Sequence, residues 1–523
     1  MHSGKMMGRK TKKMKLNKDE KPSANPPKSY KTLYFLIFLV IAACASRFFW
    51  LGRESLWLDE ASSLHISTNI RNLHFHGLFF SKFPDAHPFF YYILLVLWTK
   101  LFGISELALR SLSAVFGVVL IMSTYYVGSR TISTRVGAIA SVLLLVNPVA
   151  LYYSQEARMY TLVPLLILFS TFYFYRLLTK PDKKNIILYI MISSIFMYTD
   201  YLGVLLLLTH VSFSLWRFFQ TREKRIFRIL IFAYIAIFLL YIPWLPNTLL
   251  NLKCERISWM KPPSALEGVT ATLQLLGVQF MHVERIKESI NLPDAKVFTK
   301  IILILSYIFL YVWAFLILIV GLIISLREKI SFKTLVAILC FVPLVIFLIS
   351  ISLVPIFNLR QASVYFPEMG LTMASGLIAM ASFIQRRFKA FTTRPVWIWL
   401  LAPLLIINLV CTYVVYTVDT KENWRQIARD METMGGSKPI GIYKEYMAEP
   451  FLYYYHGSAR VIRIRDEDLS QLGLSVDSEE FILILSHVNP KYILPTINRY
   501  FLTRKVHQYR GAQVYFLKKN GRS

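Results

Sequence analysis

Acidic residues are scarce in this chain: 30 Asp and Glu stand against 59 Lys and Arg, a formal net charge of +29. Cysteine is scarcer still, with only Cys44, Cys254, Cys340 and Cys411 among 523 residues. Their spacing builds neither a disulfide framework nor a zinc site, and three of them sit inside apolar segments, where a thiol packs as a small hydrophobe. No N-x-S/T sequon occurs, which favours a prokaryotic membrane. There is no internal repeat, and that argues against a transporter, whose halves usually echo one another. A secretory signal pattern is also missing from the first 31 residues, because the apolar run from Thr32 is long enough to span a bilayer.

Apolar residues are what the chain has in abundance: 55% of it is hydrophobic and 15% aromatic, with a mean hydropathy of +0.48. Several runs reach the roughly 20 residues needed to cross a membrane. The basic excess gathers in the N-terminal tail and in short loops between those runs, which is the positive-inside pattern and not the footprint of a nucleic-acid partner. On that rule the basic segment 1–31 is a cytoplasmic tail and the first helix runs outward.

The stretch HPFFYYILLVLWTKLFG (87–103) decides the topology. Read as a span, it would put Arg130, Arg135 and most later basic loops outside. Read as a juxtamembrane surface helix, it places 130–135, 176–184, 217–228, 327–333 and 386–394 in the cytoplasm, and all of these are basic. About eleven spans follow: 32–50, 110–129, 136–153, 160–177, 185–199, 202–219, 229–246, 298–325, 333–355, 363–384 and 395–417. The expected architecture is therefore a polytopic α-helical membrane domain over 32–417, with external loops at 51–109 and 247–297. From 418 to 523 the composition turns soluble. WRQIARDMETM reads as an amphipathic helix, PIGIYKEY, RVIRI, EFILILSHV and AQVYFLKK as strands, and PKYILPTINRYF as a helix between them, giving a small extracytoplasmic α/β domain.

On this topology the unusual polar groups collect at one membrane surface. SLWLDEASS, just outside the first span, carries Asp59 and Glu60. His87 opens the surface helix, Glu156 and Arg158 lie in YSQEARMY between two apolar helices, and Arg360 sits in NLRQASVYF where a later helix re-enters. Each has a plain structural reading. Asp59 suits the cap of a helix starting at Glu60, Glu156 and Arg158 suit an interfacial pair with the arginine snorkelling, and His87 and Arg360 suit loop and interface anchors. His65, His74 and His76 are poorly spaced as metal ligands, so no metal site and no cofactor is indicated, a divalent cation included. Taken together, two carboxylate sites and three cations fit one chemistry better. A lipid-linked phosphosugar presents its phosphate at this depth, where Arg and His bind it by charge-assisted hydrogen bonds. An acceptor hydroxyl needs a base, which a partly desolvated carboxylate supplies.

WLDEASS, HPFFYY, RSLSAVFGVV and NPVALYYSQEARMY, in that order and spacing, resemble the N-terminal module of the GT-C superfamily. Within it they are most similar to the protein O-mannosyltransferases and bacterial aminoarabinose transferases. The resemblance spans about residues 32–220, continues weakly through 360–370, and is slight in the tail domain. It implies a GT-C-like fold and a catalytic carboxylate at Asp59 with Glu60 adjoining. It also implies a phosphate-proximal motif at His87 and Pro88, with Phe89 in place of a second proline, and a second acidic site at Glu156 followed by Arg158 and Tyr160. A late Arg-Tyr motif falls on Arg360, with Tyr365 displaced. The implied activity is inverting transfer of a monosaccharide from a polyprenyl- or dolichyl-phosphate donor to a lipid, glycan or protein hydroxyl. It takes place on the outer face of a plasma (inner) membrane, among membrane lipids. The alternatives are a polysaccharide polymerase or ligase using lipid-diphosphate donors, and a lipid-sugar flippase.

Overall fold

The computed structural model of the chain describes residues 30–72, 83, 85–253, 262–265, 267–268, 297–328, 331–352, 359–388, 394–471 and 478–520. Nearly all of the basic tail, most of the expected 247–297 loop, and His74 and His76 lie outside the described residues.

The bundle is built from α1 (Tyr30–Phe48), α2 (Leu58–Asn72), α3 (Phe90–Phe102), α4 (Glu106–Thr131), α5 (Thr134–Val146), α6 (Pro148–Ser154), α7 (Leu162–Thr179), α8 (Lys183–Met197), α9 (Leu202–Thr221), α10 (Lys224–Tyr241) and α11 (Leu245–Lys253). It continues with α12 (Val297–Arg327), α13 (Phe332–Leu339), α14 (Val342–Ser352), α15 (Leu359–Ala362), α16 (Phe366–Arg387) and α17 (Val396–Thr417). Among the described residues, nine helices are long and apolar enough to cross a membrane, or ten if α5 and α6 form one span. This makes the chain a polytopic helical membrane protein, with fewer spans than the eleven expected.

Two places account for the difference. The expected span 136–153 bends by 65° between α5 and α6. There the Asn147 side chain accepts from the Val149 and Ala150 N–H groups at 3.0 and 2.9 Å, and Pro148 fills the first helical position. A cap followed by proline starts a new helix and does not continue the old one. The expected span 185–199 is α8, only 15 residues long, shorter than a bilayer crossing normally requires. The apolar α3 has 13 residues and is also too short to span. It buries Tyr91, Tyr92 and Leu95 while leaving Leu97, Leu101 and Phe102 exposed, the one-sided pattern of a helix lying along a surface.

Without a hydrophobic drive between helices in lipid, close packing relies on small residues. Gly321 on α12 and Gly376 on α16 face each other's helix. A Cβ at either would meet backbone, the Thr372 carbonyl in one case and the Ile317 carbonyl in the other.

After α17 comes the sheet domain: α18 (Trp424–Met434), β1 (Ile440–Tyr443), α19 (Ala448–Tyr454), β2 (Val461–Ile464), β3 (Glu480–Ser486), α20 (Pro490–Ile497), β4 (Phe501–Tyr509) and β5 (Ala512–Lys519). The strand order is β2-β1-β3-β5-β4, with β2, β1 and β3 parallel and β5 and β4 antiparallel. The run FILIL in β3 is buried throughout, as a strand covered on both faces requires. Helix α18 occupies the range read from the sequence. The helix read over PKYILPTINRYF ends at Ile497, and Phe501 instead opens β4, which the sequence pattern does not suggest. Nor does it suggest α19.

The sheet domain is seated on the segment that carries α2. Ser55 Oγ donates to the Glu422 carbonyl, the Trp424 N–H donates to Ser55 Oγ at 3.2 Å, and the Leu56 N–H donates to Tyr454 Oη at 2.6 Å. Arg425 pairs with Glu106 at 2.5 Å, and His65 Nδ1 lies 3.1 Å from Glu449. Thus the carboxyl end of β1, through α19, abuts the helix on which the paired carboxylates sit.

Candidate active site

Neighbouring residues of a helix point about 100° apart, and this separates Asp59 from Glu60. Helix α2 starts at Leu58, so both lie in its first turn. Asp59 does not cap a helix beginning at Glu60. Its carboxylate instead pairs with the Arg360 guanidinium at the head of α15. Arg360 is clasped on both sides, with its guanidinium carbon 4.7 Å from the Trp57 ring centre and 5.6 Å from that of Tyr160. Its Nη1 also reaches Tyr160 Oη at 3.3 Å. Arg360 keeps 34% of its side chain exposed and Asp59 keeps 19%, so a ligand can reach this pair.

Glu60 turns inward and is fully buried. Arg110 from α4 grips it with two bonds of 2.7 Å, Nε to Oε1 and Nη2 to Oε2. Lys421 Nζ adds a third contact at 3.1 Å, and the Ala157 N–H donates a fourth at 3.1 Å. Burial alone would raise the Glu60 pKa, but Arg110 and Lys421 outweigh it and hold the carboxyl down to about 2. With every acceptor position taken, Glu60 ties α2, α4, the 155–158 loop and the C-terminal segment together.

Glu156 is the opposite case. It is 1% exposed, and among the described residues neither of its oxygens has a hydrogen-bond partner of normal geometry, although the Tyr152 hydroxyl is turned toward it. Burial pushes it up to about 7, against the lowering influence of Lys421 and Arg360 and with that of Glu60 and Asp59. Glu156 and Arg158 are not the interfacial pair that their spacing allows. Arg158 Nη1 donates to Tyr92 Oη at 2.7 Å and to Ser63 Oγ at 3.3 Å, and it pairs with Asp85 at 3.3 Å. Asp85, whose side chain is 11% exposed, is held down to about 2 by Arg158 and His87 despite desolvation. His87 Nδ1 lies 3.3 Å from Asp200 in the turn between α8 and α9, while the His87 backbone N–H donates to Asp85 Oδ1 at 2.7 Å.

The structure thus gathers Asp59, Arg360, Tyr160, Glu156 and Arg158 into one cluster. His87 sits at its edge, and Glu60 lies behind. Five further residues complete the constellation that the sequence pattern does not single out. Asp85 and Tyr92 neighbour the HPFFYY motif, and Arg110 opens RSLSAVFGVV, where a charge entering an apolar helix is a visible signal. Asp200 and Lys421 have no local signal. Among the described residues no cluster of His, Cys, Asp or Glu has the geometry to hold a metal ion.

The sequence profile of the dolichyl-phosphate-mannose-protein mannosyltransferase family matches residues 86–246. A search of curated proteins produced no match. Among solved structures, ArnT from Cupriavidus metallidurans in its apo state superposes with a TM-score of 0.60 at 12% identity, covering 93% of this chain and 98% of that one. The same protein bound to undecaprenyl phosphate gives 0.56 at 13%, covering 94% and 98%. The Archaeoglobus fulgidus oligosaccharyltransferase in complex with zinc and sulfate gives 0.57 at 11%, covering 92% of this chain and 72% of that one. At these identities the likeness is one of fold.

Proposed function

We propose that the chain is a GT-C-type membrane glycosyltransferase that transfers a monosaccharide from a polyprenyl- or dolichyl-phosphate carrier to a hydroxyl acceptor, with inversion at the anomeric carbon. The reaction takes place on the extracytoplasmic face, where the C-terminal domain also lies. The observation that carries this reading is the accessible Asp59–Arg360 pair beside Glu156, which among the described residues lacks a hydrogen-bond partner of normal geometry. The undecaprenyl phosphate bound by the similarly folded ArnT supports the choice of donor.

In the resting arrangement Arg360 is occupied by Asp59. The donor's phosphodiester carries one negative charge and draws the guanidinium to itself through charge-assisted bonds. That releases the Asp59 carboxylate to face the acceptor. The acceptor oxygen then attacks C1, its proton passes to Asp59, and the C1–O bond to phosphate breaks. The carrier leaves as a phosphate dianion. Arg360 stabilises the charge gained in that step, and Arg158 adds its field from behind while holding α2 through Ser63. Tyr160 steers the guanidinium, and His87 braces the Asp85–Arg158 pair from the turn at Asp200. Glu60 keeps α2 in register. Glu156, poised near neutrality, orients the acceptor hydroxyl or relays its proton.

The test uses the full chain in lipid nanodiscs with radiolabelled polyprenyl-phosphate mannose, glucose and aminoarabinose, scored by release of the carrier phosphate. Wild-type release, lost by about two orders of magnitude or more in Asp59→Asn with the thermal transition unchanged, is the expected result. Equal release by both proteins would remove Asp59 from the chemistry. Translocation of labelled lipid without any release would favour the flippase.

A further inference from the structure

The charged groups of the cluster pair off, with two left over. Asp59 is matched by Arg360, Asp85 by Arg158, Asp200 by His87, and Glu60 by the two-bond grip of Arg110. Lys421 therefore brings a positive charge that Glu60 does not need for neutrality, although its Nζ lies 3.1 Å from Glu60 Oε2. Lys421 is 5% exposed. Its Nζ also lies 3.5 Å from the carbonyl of Gln155, the residue before Glu156, and 5.9 Å from the centre of the Tyr152 ring. Glu156 is the one buried carboxylate of the cluster without a hydrogen-bond partner of normal geometry among the described residues. A buried carboxylate with no counter-charge is strongly unfavourable, and a nearby ammonium offsets part of that cost.

We propose that Lys421, delivered by the segment joining the C-terminal domain to the bundle, is the counter-ion of Glu156 and a positioning residue for the glycosyl transfer proposed above, on which its catalytic meaning rests. The C-terminal domain is then part of the active site. Only when its linker is seated, with the Thr420 and Lys421 N–H groups on Glu54 and Ser55 bonded to Glu422, does the lysine reach its place. The groups facing Glu156 are Lys421 from the linker, Arg360 from α15, Asp59 and Glu60 from α2, Tyr91 from α3, and Tyr152, Tyr153 and Tyr160. Of the charged ones, Lys421 exerts the strongest pull toward the ionised form.

Lys421→Gln is suited to the test, because its amide still donates to Glu60 and it leaves the Glu60–Arg110 pair beside a protonated Glu156. In nanodiscs, kcat/KM for carrier-phosphate release is measured from pH 5.5 to 9.5 for wild type, Lys421→Gln and Lys421→Arg. The limb that reports Glu156 moves up by about one pH unit in Lys421→Gln, as loss of a close opposite charge requires, and stays in place in Lys421→Arg. A rate lowered evenly across the range, with the limb unmoved, overturns the proposal. A second measurement is independent of the donor. At pH 8.5, Lys421→Gln lowers the thermal midpoint in the wild-type background and no longer does so in Glu156→Gln. Additive effects would refute the pairing. If wild type releases no phosphate from any donor, the functional reading fails, and the thermal cycle alone judges Lys421. If Lys421→Gln alone does not fold, recovery of the fold in the double variant is the coupling itself, and no recovery refutes it.

Discussion

Replacing Glu156 by glutamine should make the protein more stable, and more so the higher the pH. Burial pushes this carboxyl from 4.5 up to about 7, against the opposing influence of Lys421 and Arg360. The folded chain therefore holds the Glu156 proton more tightly than the unfolded chain does. The stabilisation from that proton is complete below about pH 4.5 and is lost as the pH climbs to about 7. Above that, the ionised side chain costs about 3 kcal/mol, since each unit of pKa is worth about 1.4 kcal/mol. Glutamine has the shape of the protonated acid and cannot ionise. Against wild type, Glu156→Gln should gain little at pH 5 and about 2–3 kcal/mol more at pH 9. For a large domain that is a rise in thermal midpoint of several degrees. The assay is the thermal transition of the full chain in nanodiscs at pH 5, 7 and 9, run beside carrier-phosphate release, which falls in the variant. An advantage that is the same at pH 5 and pH 9 would mean that Glu156 is not an ionising buried acid, and its part in the chemistry would go with it.

Other substitutions probe other parts of the site. Arg360→Lys keeps the charge but loses the planar fork that engages phosphate oxygens, so the donor KM should rise about tenfold or more, with a smaller change in kcat; an unchanged KM would place the phosphate elsewhere. Glu60→Gln strips the partner from Arg110 and Lys421 in a fully buried setting, and breaking such a pair typically costs about 3–5 kcal/mol. A shift in chemical denaturation midpoint measures it, and a neutral result would show that Glu60 is not the tie it is taken to be. Gly376→Val drives a side chain into the backbone of α12, at a cost of about 1–3 kcal/mol. The thermal midpoint should drop while the folded fraction keeps its KM, and a raised KM would link this helix contact to the site.

Much of this architecture is legible from charge and hydropathy alone, because a bilayer enforces both. A 13-residue apolar helix is too short to cross it, and it is this reading of 87–103 that lets the eleven spans expected from the sequence put every basic loop on one side. The bend at Asn147 is harder to read. Asn-Pro is a strong helix start, but inside a continuous apolar run the hydropathy signal passes straight through it. In the C-terminal domain, Phe501–Tyr509 reads FLTRKVHQY, with exposed polar residues through most of its length, and no apolar alternation announces a strand.

The site divides along the same line. Asp59, Glu156, Arg158 and Arg360 stand out because a charge at the edge of an apolar helix is anomalous. Lys421 does not, because it lies in DTKENW, a polar stretch where one more charge is unremarkable. What distinguishes it is where the sheet domain sets it down, 361 residues along the chain from the Glu60 it touches. Sequence shows which charges a membrane protein places at its surface, but the balance among them is a property of tertiary structure. Here the balance matters chemically. Fully paired carboxylates such as Glu60 are too weakly basic to take a proton, so transfer must use a pair that a ligand can open or an acid left near neutrality. Asp59 with Arg360 is the first kind and Glu156 the second, which is why the proposed proton traffic falls to those two and not to the buried, fully paired Glu60.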